Sequence, residues 1–343
     1  MVPAERLERH RVIAAALEAI GDDELAAWIG ASEPLRRDGY ASLALPDDGT
    51  PLFVKLLSLT ELEREPRHWP STANCFGLPP SYGYRIGSTG FGVRRELETH
   101  AIANGWVVAG ERAQFPLMHS HRVVPIARQV FHAPRWPQPW GDDPGVAARH
   151  VAIEQSSHSV AVFLEPFRCN LLQRLRGRRA GMPGSDDDVL RLEPQLLELA
   201  GFIDRRGLRH MDAHFENILS DGDDIYLTDF GLAISNDFEL SPSEYAFFER
   251  HRCFDVATML TSLVHAIFTR HVGEYGWPEA MRAFLAESGP QSDEMPDADR
   301  DFLIRRGPLW LAMGGFYESL RDDIGTEFPA DEIERLLEAG APC

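Results

Sequence analysis

Residues 210–219 read HMDAHFENIL and residues 225–231 read IYLTDFG, and together they decide the fold. Residues 220–224 between them read SDGDD, a composition typical of a tight turn. The apolar residues on either side of this turn predict two short strands joined as a hairpin. Such a hairpin brings the outer ends of its strands together, so we expect Asp212, Asn217 and Asp229 to lie around one small volume.

Two carboxylates and one amide in this arrangement suit the transfer of a phosphoryl group from ATP to a hydroxyl. Asp212 would orient the acceptor hydroxyl and accept its proton, a role in which position matters more than basicity. Asn217 and Asp229 would supply hard oxygen ligands to Mg²⁺, with ATP and water completing the coordination sphere. The pattern therefore predicts ATP and Mg²⁺ as cofactors.

The same residues resemble a known family. The order H-x-D-x-x-x-x-N followed by D-F-G is similar to the catalytic segment of the protein-kinase-like superfamily, with His210 in the first position. His214, in D-x-H-x-x-N, resembles aminoglycoside phosphotransferases and related small-molecule kinases, because ordinary protein kinases usually carry Lys there. The resemblance implies an α+β, bilobal fold with a strand-rich N-lobe and a helical C-lobe. It also implies a phosphotransferase with an alcohol acceptor, in which His210, Asp212 and Asn217 are catalytic and Asn217 and Asp229 bind the metal.

Other residues that the resemblance implies for the active site lie before and after this segment, in the order that the family shows. Lys55 ends an apolar strand and resembles the kinase lysine that contacts the α- and β-phosphates. Its partner would be Glu96 or Glu98, which point about 200° apart on a helix of 3.6 residues per turn. We favour Glu96, which shares a helix face with His100. Asp255 resembles the helix-start aspartate that braces the catalytic loop, and it also suits a plain helix N-cap.

The expected nucleotide-binding segments include one that departs from the family pattern. Protein kinases show G-x-G-x-x-G before the lysine, whereas residues 35–42 contain the single glycine Gly39, whose loop could still cover phosphates with backbone amides. Residues 160–167 resemble the last strand of the first lobe, so backbone groups at Glu165 and Phe167 would meet the adenine edge. A buried strand with no ligand role is the alternative. The predicted nucleotide-binding residues are Lys55, Glu96, Gly39, Glu165, Phe167 and Asp229.

The rest of the chain predicts a strand-rich first half and a helical second half. The predicted domains are a helical extension over residues 1–32, an N-lobe over residues 33–167, and a C-lobe with the catalytic loop over residues 168–343. Strands are predicted for residues 42–45, 51–57, 122–130, 150–155 and 160–167. Within the N-lobe, residues 66–92 form an insertion longer than most connections, which favours a lid or a docking surface over an incidental loop.

Composition narrows the class of partners. The chain has 343 residues and a net charge of −19, which repels nucleic acid and anionic membranes and attracts cations. The four cysteines lack the paired spacing of a zinc site or a disulfide framework. No apolar run reaches the ~18 residues of a membrane helix, and no signal-peptide core is present. We therefore expect a cytoplasmic protein that binds neither nucleic acid nor membrane.

Two classes of acceptor compete for the predicted kinase. A cationic small molecule of the aminoglycoside type suits the acidic charge and His214. A serine or threonine of a peptide suits the insertion and the intact Asp-Phe-Gly. The insertion and residues 228–235 also resemble actinobacterial kinase-like proteins of lanthipeptide- and thioamitide-type peptide biosynthesis, where a partner lyase eliminates the phosphorylated residue. We favour the peptide acceptor, and a catalytically inactive pseudokinase scaffold is the third alternative.

Overall fold

The structure is a computed structural model that describes residues 3–127, 140–141, 143–176, 188–222, 224–273, 277–286 and 295–341. Contacts divide the chain into two compact units. The first unit contains residues 1–168, 226–233 and 237–243, and the second contains residues 169–225, 234–236 and 244–343. The described residues form helices together with sheets of antiparallel strands, which confirms the α+β class.

Four antiparallel strands in the order β1-β2-β4-β3 form the sheet of the first unit. The strands are β1 (Tyr40–Ala44), β2 (Pro51–Leu59), β3 (Met118–Val124) and β4 (His158–Leu164). The helices are α1 (Ala4–Ala19), α2 (Asp22–Gly30), α3 (Glu33–Asp38), α4 (Glu61–Arg64), α5 (Val93–Val108) and α6 (Pro144–Glu154), and a 3₁₀ turn covers Pro80–Gly83. Because β2 lies between β1 and β4, it is an inner strand of the sheet.

Each face of this sheet has its own apolar core, because side chains along a strand alternate between the faces. On one face, Val54 and Phe163 join a buried cluster with residues of α1, α2 and α3. On the other face, Leu57 and Val162 pack with Leu97 of α5. Lys55 follows Val54 on the inner strand, so its side chain leaves the sheet on the face that α5 covers.

Most of the predicted strands of the first unit are present. Residues 42–45, 51–57 and 160–167 correspond to β1, β2 and β4, with ends shifted by a few residues. The strand predicted for residues 122–130 is β3, which begins earlier, and residues 128–130 lie outside the described residues.

The strand predicted for residues 150–155 is wrong, because α6 continues to Glu154. Val146, Arg149 and Ile153 are buried at helical spacing along this element. The Asp143 carboxylate accepts a hydrogen bond from the Val146 amide at 2.9 Å, and Pro144 stands at the first helical position. An aspartate N-cap followed by proline favours a helix start, which outweighs the short apolar run.

The second unit is mainly helical. Its helices are α7 (Leu171–Arg176), α8 (Asp188–Arg205), α9 (Pro242–Arg250), α10 (Phe254–Val272), α11 (Trp277–Leu285), α12 (Asp297–Asp322) and α13 (Ala330–Ala339), with the first residues of α9 assigned to the first unit. Short strands are β5 (Cys169–Asn170), β6 (Leu208–Arg209), β7 (Ile218–Ser220) and β9 (Ile234–Ser235), and β5 pairs with β7 and β6 with β9. From β7 the chain runs into β8 (Ile225–Leu227), which passes into the first unit at Tyr226. Asp223 of the connecting turn lies outside the described residues.

A buried network of charges joins α8 and α10 in the second unit. Asp188, which is fully buried, accepts hydrogen bonds from Arg270 at 2.8 Å and from Arg191 at 2.9 Å. Arg270 is also nearly buried, with 4% of its side chain exposed. A buried charge of this kind is stable only while its partner is present.

None of the helices in the described ranges combines the length and the apolar character needed to cross a lipid bilayer.

We predict that Asp188→Asn destabilises the protein by about 1.5–3 kcal/mol, because it removes the nearer counter-charge of the buried Arg270 guanidinium and leaves the Asp299 carboxylate at the longer distance of 4.0 Å. Denaturant unfolding at neutral pH measures the loss. The matched control is Glu327→Gln, which removes an exposed ion pair with Arg250 at 2.9 Å and should cost less than about 1 kcal/mol. Equal stability of the two variants would contradict the role given to the buried network.

Candidate active site

One ammonium group joins two predicted acidic residues in the first unit. The Nζ of Lys55 donates to Glu96 Oε1 at 2.7 Å and to Asp229 Oδ1 at 2.7 Å. These partners are 41 and 174 positions away in the sequence, one on α5 and the other just after β8. The neighbouring acid Glu98 instead accepts a hydrogen bond from Arg94 at 2.6 Å. Lys55 therefore contacts Glu96, and Glu98 is engaged on its own helix.

The electrostatics of this cluster keep Lys55 charged. Burial by itself lowers the pKa of the Lys55 ammonium, but the carboxylates of Asp229 and Glu96 outweigh that effect and raise the pKa well above its ordinary value. The side chain of Lys55 is 21% exposed and that of Glu96 is 9% exposed, whereas that of Asp229 is 48% exposed. The cluster is therefore closed on the side of Glu96 and open to solvent at Asp229.

Lys55 is the single lysine of the chain, against 34 basic lysine and arginine residues in total. An ammonium nitrogen is a compact charge with three donors, whereas a guanidinium is a wide planar fork. The ammonium nitrogen of Lys55 lies 2.7 Å from each of two separate carboxylates. A single lysine in a chain that otherwise uses arginine is a signal that can be read in the sequence.

The backbone at Asp229 is held in an unusual conformation. Asp229 has φ 64°, and Met211 in the other half of the motif has φ 65°; they are the two non-glycine residues with positive φ in the described ranges. Such conformations cost energy and persist where the surroundings enforce them, often at functional sites. After Asp229, the ring of Phe230 is buried and lies 4.9 Å from the ring of His100 on α5. This packing fixes the turn that carries the Asp229 carboxylate.

Within the second unit, Asp255 binds the backbone at the start of residues 210–219, the first half of the motif. Its carboxylate accepts hydrogen bonds from the backbone amides of His210 at 2.6 Å and Met211 at 2.9 Å. Burial raises the pKa of Asp255, while the His210 and Met211 contacts act in the opposite direction. Two amide donors to one carboxylate fix the backbone at the strained Met211, so Asp255 positions the loop that follows.

Three polar side chains of that loop contact one another. Asn217 Nδ2 donates to Asp212 Oδ2 at 3.0 Å and to the Asp212 carbonyl at 2.9 Å. His214 Nε2 lies 3.5 Å from Asp212 Oδ1. The amide of Asp212 donates to His210 Nδ1 at 3.2 Å, so His210 supports the backbone of the loop. The structure thus brings Asp212, Asn217 and His210 together, and the meeting of these residues with Asp229 stays a prediction.

Gly39, Glu165 and Phe167, which are predicted to bind the nucleotide, contact other groups of the protein. Gly39, at φ 85°, ends α3 and donates its amide to the Leu35 carbonyl at 3.0 Å, so residues 35–38 are helical. Glu165 directly follows β4, and its amide donates to the Leu117 carbonyl at 2.9 Å. The ring of Phe167 lies 4.4 Å from the ring of Tyr226. The amides of Gly39 and Glu165 are therefore already bonded to protein carbonyls.

Sequence reasoning missed Arg6 of α1. Its guanidinium donates to Glu165 Oε2 at 2.6 Å and to the carbonyls of Phe115 at 2.6 Å and Ala113 at 2.8 Å. It also lies over the ring of Tyr226, at 5.3 Å. An arginine on a polar helix carries no sequence signal for these contacts, because its partners come from distant segments.

The predicted metal ligands have suitable donor chemistry. In the described part of the chain, no group of three or more His, Cys, Asp and Glu lies close enough to form a metal site. Asn217 directs its amide nitrogen to Asp212, which leaves the oxygen as the ligand end of that amide. Asn217 and Asp229 would thus offer oxygen donors, which Mg²⁺ accepts when phosphate oxygens and water fill its other positions. The residues present fit Mg²⁺.

No protein-family model matches the chain, and no curated protein matches it significantly.

We predict that Asp229→Asn and Glu96→Gln each make Lys55 react with acylating reagents at lower pH than the wild type does. Each substitution removes a carboxylate that raises the Lys55 pKa, and each unit of pKa lowering yields about ten times more free amine at a given pH. Mass spectrometry of the proteolytic peptide that contains Lys55, the single lysine of the chain, reads the reaction separately from acylation of the N-terminal amine.

A lysine-containing peptide in the same tube serves as the internal standard, and Glu98→Gln, on the same helix, is the matched control. Identical pH profiles for Asp229→Asn, Glu98→Gln and the wild type would contradict the ion-pair cluster.

Proposed function

We propose that this chain is an ATP- and Mg²⁺-dependent phosphotransferase with a bilobal, protein-kinase-like fold that acts on a hydroxyl group. The observation that carries the proposal is the double contact of Lys55 Nζ, at 2.7 Å from both Glu96 and Asp229. Asp229 is predicted from the Asp-Phe-Gly motif, Lys55 from an apolar strand and Glu96 from a helical pattern. In the structure both carboxylates contact the Nζ atom of Lys55. Unrelated surface residues would not converge in this way.

The topology around Lys55 supports the same proposal. Lys55 lies on β2, the helix of Glu96 connects β2 to β3, and β4 returns beside β2. Lys55 pairs across the sheet with Val162, two residues before the end of β4. This is the arrangement that the resemblance implies for a kinase N-lobe, with a lysine strand, a glutamate helix and a last strand leading to the adenine edge.

Each polar residue has a role in the proposed reaction. Asp212 orients the acceptor hydroxyl and accepts its proton as the hydroxyl oxygen bonds to the γ-phosphorus of ATP and the bond from that phosphorus to the bridging oxygen breaks, which releases ADP. Asn217 holds the Asp212 carboxylate through Nδ2, and Asp255 fixes the backbone from which both project. Lys55 contacts the α- and β-phosphates. Asn217 and Asp229 would hold Mg²⁺, which when bound would neutralise charge that develops on the phosphate oxygens.

We propose a serine or threonine of a peptide as the acceptor, followed by the action of a partner lyase. The 26 positions from Asp229 to Asp255 contain no A-P-E triplet, which disfavours a kinase switched by phosphorylation of an activation segment. The length of the insertion over residues 66–92 and the intact Asp-Phe-Gly favour the peptide acceptor, whereas the net charge of −19 suits a cationic acceptor of the aminoglycoside type. The presence of Lys55, Asp212 and Asn217 disfavours an inactive scaffold.

A cationic small molecule of the aminoglycoside type is the second candidate acceptor. The observation that favours it is His214, whose Nε2 lies 3.5 Å from Asp212 Oδ1. The resemblance associates a histidine at this position with small-molecule kinases and a lysine with ordinary protein kinases.

We predict that Asp212→Ala lowers phosphate transfer by about 10²–10⁴-fold, because it removes the proposed proton acceptor, while nucleotide binding is retained. Asp229→Ala should also lose Mg²⁺-dependent nucleotide binding. The measurement is transfer from labelled ATP with Mg²⁺ to serine- and threonine-containing peptides and, in parallel, to aminoglycosides. Asp224→Ala, an exposed acid before β8, is the matched control and should behave as the wild type does.

The outcomes separate the alternatives. Transfer to peptides alone supports the peptide acceptor, and transfer to aminoglycosides alone supports the second candidate. Nucleotide binding without transfer to either would favour the scaffold. Equal turnover by Asp212→Ala and the wild type would remove Asp212 from the mechanism.

A further inference from the structure

The insertion over residues 66–92 is anchored by buried aromatic side chains. Tyr82 is fully buried, and Tyr84 and Phe91 are nearly so, at 3% and 4% exposed. The hydroxyl of Tyr82 accepts a hydrogen bond from the Thr89 amide at 3.0 Å and lies 3.2 Å from His150 Nε2 on α6. A lid that opened would expose these rings to water, so the insertion is built to stay in place.

The end of the insertion packs directly on the glycine of Asp229-Phe230-Gly231. Gly90 has φ 76°, and a Cβ built on it would lie 2.3 Å from the Gly231 carbonyl oxygen. On its other side, the Gly90 carbonyl accepts a hydrogen bond from Arg149 Nε at 2.7 Å. Arg149 is 3% exposed. Gly90 is therefore held between a buried arginine and the turn that carries Asp229.

The start of the insertion binds the segment that follows the Asp229-Phe230-Gly231 turn. Thr72 and Glu239 exchange two hydrogen bonds: the Thr72 amide donates to Glu239 Oε1 at 3.2 Å, and the Glu239 amide donates to Thr72 Oγ1 at 2.9 Å. The Thr72 carbonyl accepts from Arg95 Nε at 2.7 Å. Arg95 precedes Glu96 on α5, so Thr72 links the helix of Glu96 to the segment that follows Asp229.

The buried guanidinium of Arg95 strengthens this link. It lies 5.0 Å from the ring of Phe91 in the insertion and 5.7 Å from the ring of Phe238, next to Glu239. Cation–π contacts of this kind stabilise most when they are shielded from water. The insertion, α5 and residues 238–239 thus share one interaction centre beside the Lys55 cluster.

We propose that residues 66–92 form a fixed brace that holds Asp229 where it meets Lys55, with Gly90, Thr72 and Arg95 as positioning residues. The proposal rests on the proposed function for its catalytic meaning. The insertion packs against Gly231 and forms hydrogen bonds with Glu239. It also accepts a hydrogen bond from the helix that carries Glu96. The charged cluster is then assembled permanently, without phosphorylation or a partner to order it.

Gly90→Ala tests the brace, with Gly77→Ala as its matched control. Both glycines lie in the insertion at positive φ (76° and 65°), so both alanines carry similar backbone strain. A Cβ at Gly77 meets nothing within 4 Å, whereas at Gly90 it meets the Gly231 backbone. Gly90→Ala must therefore separate the insertion from the Asp229 turn, and Gly77→Ala leaves that contact in place.

Two readouts are expected to separate the variants. The acylation rate of Lys55 at one alkaline pH should rise about tenfold in Gly90→Ala, towards the rate of Asp229→Asn, and should stay within about twofold of the wild type in Gly77→Ala. The kcat/KM for ATP should fall about 10- to 100-fold in Gly90→Ala, because small misplacements of catalytic groups are costly. Thermal unfolding confirms that both variants are folded at the assay temperature.

Acylation of Lys55 needs neither ATP nor an acceptor. It therefore tests whether the insertion holds Asp229 beside Lys55 even if no phosphate transfer is found. Equal acylation rates in Gly90→Ala and Gly77→Ala would overturn the brace and leave the proposed function untouched. If Gly90→Ala does not fold, Thr72→Val decides: it keeps the side-chain shape but removes the acceptor for the Glu239 amide. A Lys55 acylation rate at least about twofold above that of the wild type supports the brace, and an unchanged rate overturns it.

Discussion

The contact on which the first unit depends is the ammonium of Lys55 between the carboxylates of Glu96 and Asp229, each at 2.7 Å. A lysine with only 21% of its side chain exposed stays charged only if opposite charges compensate for the lost water. Two carboxylates meet that need, and they come from separate parts of the chain. The inner strand β2, the helix α5 and the turn after β8 must therefore all be in place before the cluster exists.

A second constraint is the strained backbone at both ends of the motif. Met211 and Asp229 adopt positive φ without being glycine, at 65° and 64°. At Met211, the Asp255 carboxylate accepts two backbone amides and so enforces the conformation. At Asp229, the buried ring of Phe230 and the ion pair with Lys55 do the same. In each unit, burial of apolar and paired charged groups offsets the strain that aims a carboxylate at its task.

The insertion over residues 66–92 packs against the turn that carries Asp229. A lid that opens would have few buried residues, whereas Tyr82 is fully buried and Arg95 is 3% exposed. The contacts of Gly90 with Gly231 and of Thr72 with Glu239 tie both sides of the turn to the body of the first unit. Loops with this many internal anchors have the low mobility of the core rather than that of a surface connection.

The sequence by itself determined the α+β class, most strands of the first unit and the identities of the polar residues, because motif spacing and alternation of apolar residues are local properties. Tertiary structure alone decided which carboxylate reaches Lys55, since Glu96 and Glu98 differ only in the direction that α5 presents to β2. It also brought the Glu165 amide to the carbonyl of Leu117 on a distant segment, whereas the helix through residues 150–154 follows from the local Asp143 N-cap and Pro144. Contacts such as Arg6 with Glu165 join residues 159 positions apart, so no local pattern encodes them. Residues 210–231 carry the polar groups of the candidate site, and packing between distant segments decides where each group points.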